Sequence, residues 1–206
     1  MKKIESMDAL EKFGRVRLSD NFFMRDFLYS EISNFYKIPN IPDNPELAIA
    51  AGEKLCNELL EPLKKKFGHI TIRSAYRSCA VNQFGNENKL NCSSNERTYA
   101  DHIWDKRNKE GFMGATACVQ IPWFADRFEQ GRPWQSLAWW IHDHLPYHSQ
   151  FYFPIRAALN LTWRENPERW IRSYIGTGGK YLTKQGMDNW SGSHKAEYQW
   201  IEDELK

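Results

Sequence analysis

Ile70-Thr71-Ile72-Arg73-Ser74-Ala75-Tyr76-Arg77-Ser78-Cys79-Ala80-Val81-Asn82 decides the reading of this chain. Ile70 and Ile72 alternate with Thr71 and Arg73, the period-two pattern of a half-buried strand, so a strand is predicted over 70–76. It runs into Tyr76-Arg77-Ser78, with Asn82 a few residues beyond. A guanidinium at the end of a rigid element suits a two-pronged contact with a carboxylate. Upstream, Asn44-Pro45-Glu46 reads as a helix start with Pro in the first turn. Leu47, Leu55, Leu59, Leu63 and Phe67 then share a helical face, and Gly68 ends it. The chain thus places a long helix directly before the strand that carries Arg77.

The segment Ser74-Ala75-Tyr76-Arg77-Ser78, followed by Asn82, resembles the S-G-Y-R-S-x-x-x-N signature of the hedgehog/D-Ala-D-Ala carboxypeptidase-like zinc peptidase family. Leu18-Ser19-Asp20-Asn21-Phe22, which opens a predicted short capped helix reaching Leu28, resembles the L-S-x-N-F opening of the same family. The resemblance spans roughly residues 18–163. It implies an α+β fold in which a small antiparallel sheet is flanked by helices. It also implies zinc, with hydrolysis of a peptide or amide bond close to a carboxylate.

With 206 residues, the chain is long enough for one domain with a sizeable core. A charged fraction of 26% against 41% hydrophobic residues is that of an ordinary globular protein. The net charge of +2 gives no strong signal for nucleic acid or an anionic membrane. The basic run Lys64-Lys65-Lys66 falls at a predicted helix end, where it suits the helix dipole and solvent. Nine Trp residues fit a dense aromatic core, or else a groove that stacks planar ligands. Residues 1–8 lack the apolar run of a signal peptide, and no segment has the length of a membrane span. Cys56, Cys79, Cys92 and Cys118 form no C-x-x-C pair, so reduced thiols and a cytoplasmic location are expected.

Three regions are expected: an extension over 1–17, a peptidase-like domain over 18–175, and a tail over 176–206 packed on it. Residues 83–113 are polar and read as a long loop beside the cleft. Further strands are expected at 115–122, 150–153 and 157–163. Helices are expected from Arg132 to about Leu145 and, opened by Pro167, to about Ile175. Gly176-Thr177-Gly178-Gly179 reads as a flexible turn with no phosphate-loop context, and 196–205 as a weakly amphipathic helix.

The family's zinc ligands are a His and an Asp in a pattern like S-x-H-x-x-G-x-A-x-D, with a second His on a late strand. Two registers are open. In one, Asn95 stands for the first His and His102 for the Asp. In the other, His102 is the first His after an insertion, Cys118 takes the Asp position, and Asn160 takes the last His position. The second keeps the order of elements and is preferred. His102 and Cys118 are then the expected metal ligands, with Arg77, Tyr76, Asn82 and Asn160 holding substrate. Cys118 also suits a small apolar position on a core strand.

His102-Ile103-Trp104-Asp105 puts an imidazole and a carboxylate close in sequence, a pair fit for acid–base work or metal binding. The cluster His142-Asp143-His144 adds His142 as a third catalytic candidate. His144 fits a satisfied core histidine, whereas His69 and His194 are expected at the surface. Three function classes follow: a zinc-peptidase-like hydrolase, a binding or regulatory module that kept the cleft and lost the metal, and new chemistry on His102, Asp105 and His142. The expected partner is a peptide or a small carboxylate.

Overall fold

Asn44 caps the first long helix by accepting the Leu47 N–H. In this computed structural model, which describes residues 4–176 and 178–206, helix α3 (Pro45–Leu55) passes through a π turn at Cys56–Leu60 into α4 (Glu61–Phe67). The turn directly precedes Pro62, which has no N–H to give to the preceding turn. Gly68 closes α4 at φ 81°, a left-handed conformation that costs glycine little. Shorter helices α1 (Met7–Gly14) and α2 (Glu31–Tyr36) precede this pair. The predicted helix over 18–28 is a single 3-10 turn at Met24–Phe27. Ahead of it, Ser19 and Asn21 bind the Glu61 carboxylate and tie the segment to α4.

Strand β1 (Thr71–Ser74) follows α4, as the alternation predicts. After it come α5 (Cys79–Glu87), α6 (Asn95–Thr98), β2 (Gly114–Gln120), α7 (Pro122–Glu129) and α8 (Trp134–His144). The chain then forms β3 (Ser149–Tyr152), β4 (Leu159–Arg164), β5 (Trp170–Ser173), β6 (Lys180–Thr183) and α9 (Lys195–Glu204). The six strands make one sheet in the order β1-β2-β4-β3-β5-β6. Every pairing is antiparallel except β3 with β5, so the fold is α+β with flanking helices as expected, but the sheet is mixed and six-stranded rather than small and antiparallel.

Alternation on β2 and β4 sets two faces. Ala115, Ala117 and Val119 pair with Trp163, Leu161 and Leu159 on the core side, against which α3 packs. Thr116, Cys118, Asn160 and Thr162 point the other way, and Ser74 of β1 and Phe151 of β3 extend that row. Trp104, fully buried, fills the core between Phe27 (5.3 Å) and Tyr76 (6.1 Å between ring centres).

Two further expectations change. The helix expected after Pro167 is strand β5: Ile171 and Ser173 are buried while Trp170 and Arg172 are half-buried, a period of two that outweighs the proline. The expected loop over 83–113 holds the end of α5, α6 and tightly bonded turns. Thr177, in the expected Gly-rich turn, and Met1–Lys3 of the expected extension lie outside the described residues. The α1 segment buries Phe13 in the common core, and α9 packs on α8. Among the described residues no helix is long and apolar enough to cross a membrane.

Candidate functional site

Arg77 is placed by a frame of backbone bonds around the end of β1. Tyr76 N–H donates to Phe27 O (3.1 Å) and Arg77 N–H to His102 O (2.8 Å). Asn40 braces the same turn: its amide donates to Tyr76 O (2.9 Å) and Leu28 O (3.0 Å) and accepts from Ser78 N–H (2.7 Å). The segment carrying His102 is fixed from the other side. Thr116 N–H donates to Asp101 O (3.0 Å), and the Trp104 indole N–H to Thr116 O (3.2 Å). Gly114 permits this approach, because a Cβ there would lie 2.3 Å from Ala100 O.

The result is a cleft of about 340 Å³ lined by Arg77, His102, Cys118, Asn160, Tyr76 and Glu31, among others. Cys118 and Asn160 are cross-strand neighbours on β2 and β4, and Ser74 lies opposite Cys118 on β1. The three residues of the second register, His102, Cys118 and Asn160, therefore share one cavity with Arg77. Leu90 and Asn91, from the polar stretch after α5, form part of its wall.

His102 is buried, and its Nδ1 lies 2.7 Å from Ala75 O. A carbonyl only accepts, so Nδ1 carries the proton and Nε2 keeps its lone pair. Burial, aided by the Arg77 charge, pushes the His102 pKa down to about 3, so the ring is neutral near pH 7. Burial likewise pushes the Cys118 thiol up to about 11, against the pull of Arg73 and Arg77. Near neutral pH it is a thiol.

The Arg77 guanidinium donates to Cys92 Sγ (2.7 Å). Among the described residues no carboxylate forms an ion pair with it. Asp101, the nearby acid, is bonded instead to Arg164 (2.6 Å). The charge of Arg77 is thus turned into the cleft without a resident counter-ion.

The donor set does not fit a zinc centre of the implied kind, which uses three protein ligands from imidazole, carboxylate and thiolate. Here the set is one neutral imidazole, one protonated thiol and the weakly donating amide of Asn160. Among the described residues, no group of three His, Cys, Asp or Glu side chains converges at this cleft.

Other candidates have different surroundings. Asp105 does not reach His102. It accepts from Asp43 N–H (2.8 Å), Asn44 N–H (3.4 Å) and Tyr76 O–H (3.1 Å), which anchors the start of α3 to the end of β1. Burial raises its pKa even against these bonds. Tyr76 lines the cleft, but its hydroxyl is spent on Asp105, and burial raises its pKa strongly. Asn82 is fully buried and lies outside the cleft wall. Its amide donates to Ser93 O (3.0 Å) and Asn95 Oδ1 (2.9 Å), clamping α5 to the turn before α6.

His142 and Asp143 line a second cavity, and His194 clusters with both. His194, expected at the surface, is largely buried and stacks on Trp139 at 3.9 Å between ring centres. No sequence spacing links it to Asp143, its partner 51 positions away. His144 stacks on Trp140 and bonds to its carbonyl, at an exposed position.

No family model, curated protein or solved structure matches the chain.

Proposed function

We propose that the Arg77 cleft binds the carboxylate of a peptide or small molecule, on a scaffold of the hedgehog/D-Ala-D-Ala carboxypeptidase kind that no longer builds the family's metal centre. One observation carries the reading: a half-buried guanidinium faces a 340 Å³ cavity with no carboxylate paired to it. A cation so placed gains most from an anionic ligand that supplies two oxygens. Asn160 and Ser74 offer neutral polar groups at the same face for the rest of the ligand. The Cys118–Asn160 pairing supports the scaffold resemblance, because it puts the two substituted ligand positions opposite each other.

A hydrolytic reading rests on His102, whose Nε2 lone pair is left free by the bond to Ala75. It asks that ring to take up a proton, which burial beside Arg77 opposes. Binding is therefore the conclusion.

The test compares an N-acetylated dipeptide bearing a free C-terminal carboxylate with its C-terminal amide, by titration calorimetry. The acid binds and the amide binds at least tenfold more weakly, and Arg77→Gln removes the difference. Equal affinity for acid and amide, or an Arg77→Gln protein that still discriminates, would refute the reading. Mass spectrometry of the same mixtures, with and without added zinc, reports any cleavage, and turnover lost in His102→Asn would replace binding by hydrolysis.

A further inference from the structure

His142 and Asp143 lie in the last turn of α8, and His194 is the residue that opens α9. Packing of α9 on α8 brings the three together. One ligand atom from each lies within 4.8 Å of the other two. In a tetrahedral or octahedral shell with metal–ligand bonds of about 2.1 Å, adjacent ligand atoms are about 3.0–3.4 Å apart and opposite ones about 4.2 Å. The cluster is therefore close to closed around an ion without backbone movement.

The bonding of each ligand also suits a metal. Asp143 Oδ2 is anchored by His194 N–H (2.8 Å) and Tyr198 O–H (3.0 Å), which leaves Oδ1 facing His194 Nδ1 at 2.7 Å. The other His194 nitrogen, Nε2, lies 2.9 Å from Asn189 O. Both partners are acceptors, so both contacts are satisfied only when both ring nitrogens carry protons. An ion replaces the Nδ1 proton, and the Nε2–H···O=C bond then becomes the kind of outer bond that orients a metal-bound imidazole. His142 has two outer partners, the Tyr147 hydroxyl at Nδ1 (2.6 Å) and Trp190 O at Nε2 (2.9 Å). It gives up one contact to bind the ion and keeps the other. The remaining side opens on a cavity of about 560 Å³ that Arg169 also lines, which leaves room for water or an anionic co-ligand.

We propose that His142, Asp143 and His194 form a binding site for a divalent first-row transition metal, separate from the Arg77 cleft. Two imidazoles and one carboxylate with open positions form a donor set for such ions rather than for magnesium or calcium.

The experiment uses Co²⁺ with the full chain after chelator treatment, read by visible absorption and by ion content after gel filtration. About one equivalent is expected, with ligand-field bands and no thiolate charge-transfer band. Asp143→Asn and His194→Gln weaken uptake at least tenfold, while His102→Asn and Cys118→Ser leave it unchanged. Should Asp143→Asn fail to fold, His142→Gln reports the same site with the Asp143 bonds to α9 intact. The proposal is overturned if excess Co²⁺ is not taken up, or if uptake survives the His142 and His194 substitutions. A charge-transfer band lost in Cys118→Ser would instead put the ion in the cleft.

Discussion

Acidification should unfold this protein through two neutral buried histidines. Burial and a neighbouring arginine push the pKa of each down to about 3: Arg77 beside His102 and Arg164 beside His148. Both are buried, at 8% and 3% exposure, so solvent screening is slight. In the unfolded chain each titrates near 6.5. Between these values the unfolded state binds more protons than the folded one. Stability is therefore complete above about pH 6.5 and is lost as pH falls toward 3. From pH 7 to pH 5 the loss is about 1.5 pH units at 1.36 kcal/mol each, or about 2 kcal/mol per histidine. Asp101, whose carboxyl is pushed up to about 6 by burial despite Arg164, acts in the opposite sense, gaining stability as pH falls through 6. The readout is accordingly the difference between proteins, not the slope of one. His102→Asn keeps a donor for Ala75 O, and His148→Asn keeps an acceptor for Glu168 N–H. Urea unfolding followed by tryptophan fluorescence at pH 7 and pH 5 should show each variant losing about 2 kcal/mol less than the parent, and the double variant about 4 kcal/mol less. PH dependences that agree to within about 0.5 kcal/mol across all four proteins would refute the assignment of neutral, buried rings.

Two further substitutions test the frame around Arg77. Gly114→Ala puts a methyl 2.3 Å from Ala100 O and 2.9 Å from Trp163 O, both backbone atoms, so the 99–105 segment must shift. A loss of about 1–3 kcal/mol in urea unfolding is expected, with weaker binding of the dipeptide acid because His102 O braces Arg77; unchanged stability would contradict the close approach. Asn40→Ala removes three hydrogen bonds at a buried position and should cost about 2–3 kcal/mol at roughly 1 kcal/mol each. Its dipeptide affinity, measured by calorimetry well below the unfolding transition, should also fall, and an affinity equal to the parent's would separate Asn40 from the placement of Arg77.

The elements legible in the sequence are those whose periodicity has one interpretation. Ile70 and Ile72 give β1, and the leucine face from Leu47 to Leu63 gives the long helix, with only the π turn at Cys56–Leu60 unannounced. The apolar run from Ala115 to Ile121 reads directly as the buried strand β2. Where a turn residue and a short alternation disagree, as at Pro167 and Ile171, the fold follows burial. Cys118 and Asn160 come together only through the element order that the family resemblance supplies, because β2 and β4 pair across α7, α8 and β3 and no local pattern links them. Asp105 shows the limit. A carboxylate three residues from His102 invites pairing, yet its bonds go to Asp43 and Asn44, about 60 positions away, because the exposed start of α3 needs acceptors. His194 is hidden for the same reason: only the docking of α9 makes it a neighbour of Asp143.

The charge on the cleft face sharpens the choice between readings. Ser74, Cys118 and Asn160 form one row across β1, β2 and β4. A hydroxyl, a protonated thiol and an amide carry no charge near neutral pH. Here nothing in the row attracts a cation, and His102 cannot add a positive charge of its own because burial and Arg77 keep it neutral. Arg77 is the half-buried cation of the cleft lining, and Cys92 offers it a weak acceptor rather than a counter-charge. Glu31, though exposed, also lines the cleft, and its charge helps to raise the Cys118 thiol. A cavity lined by one half-buried cation, neutral polar groups and the Glu31 carboxylate favours a ligand with a single carboxylate over a dianion, because the second charge would find no cationic partner inside. The uncharged row of Ser74, Cys118 and Asn160 thus leaves the cleft suited to a monoanion.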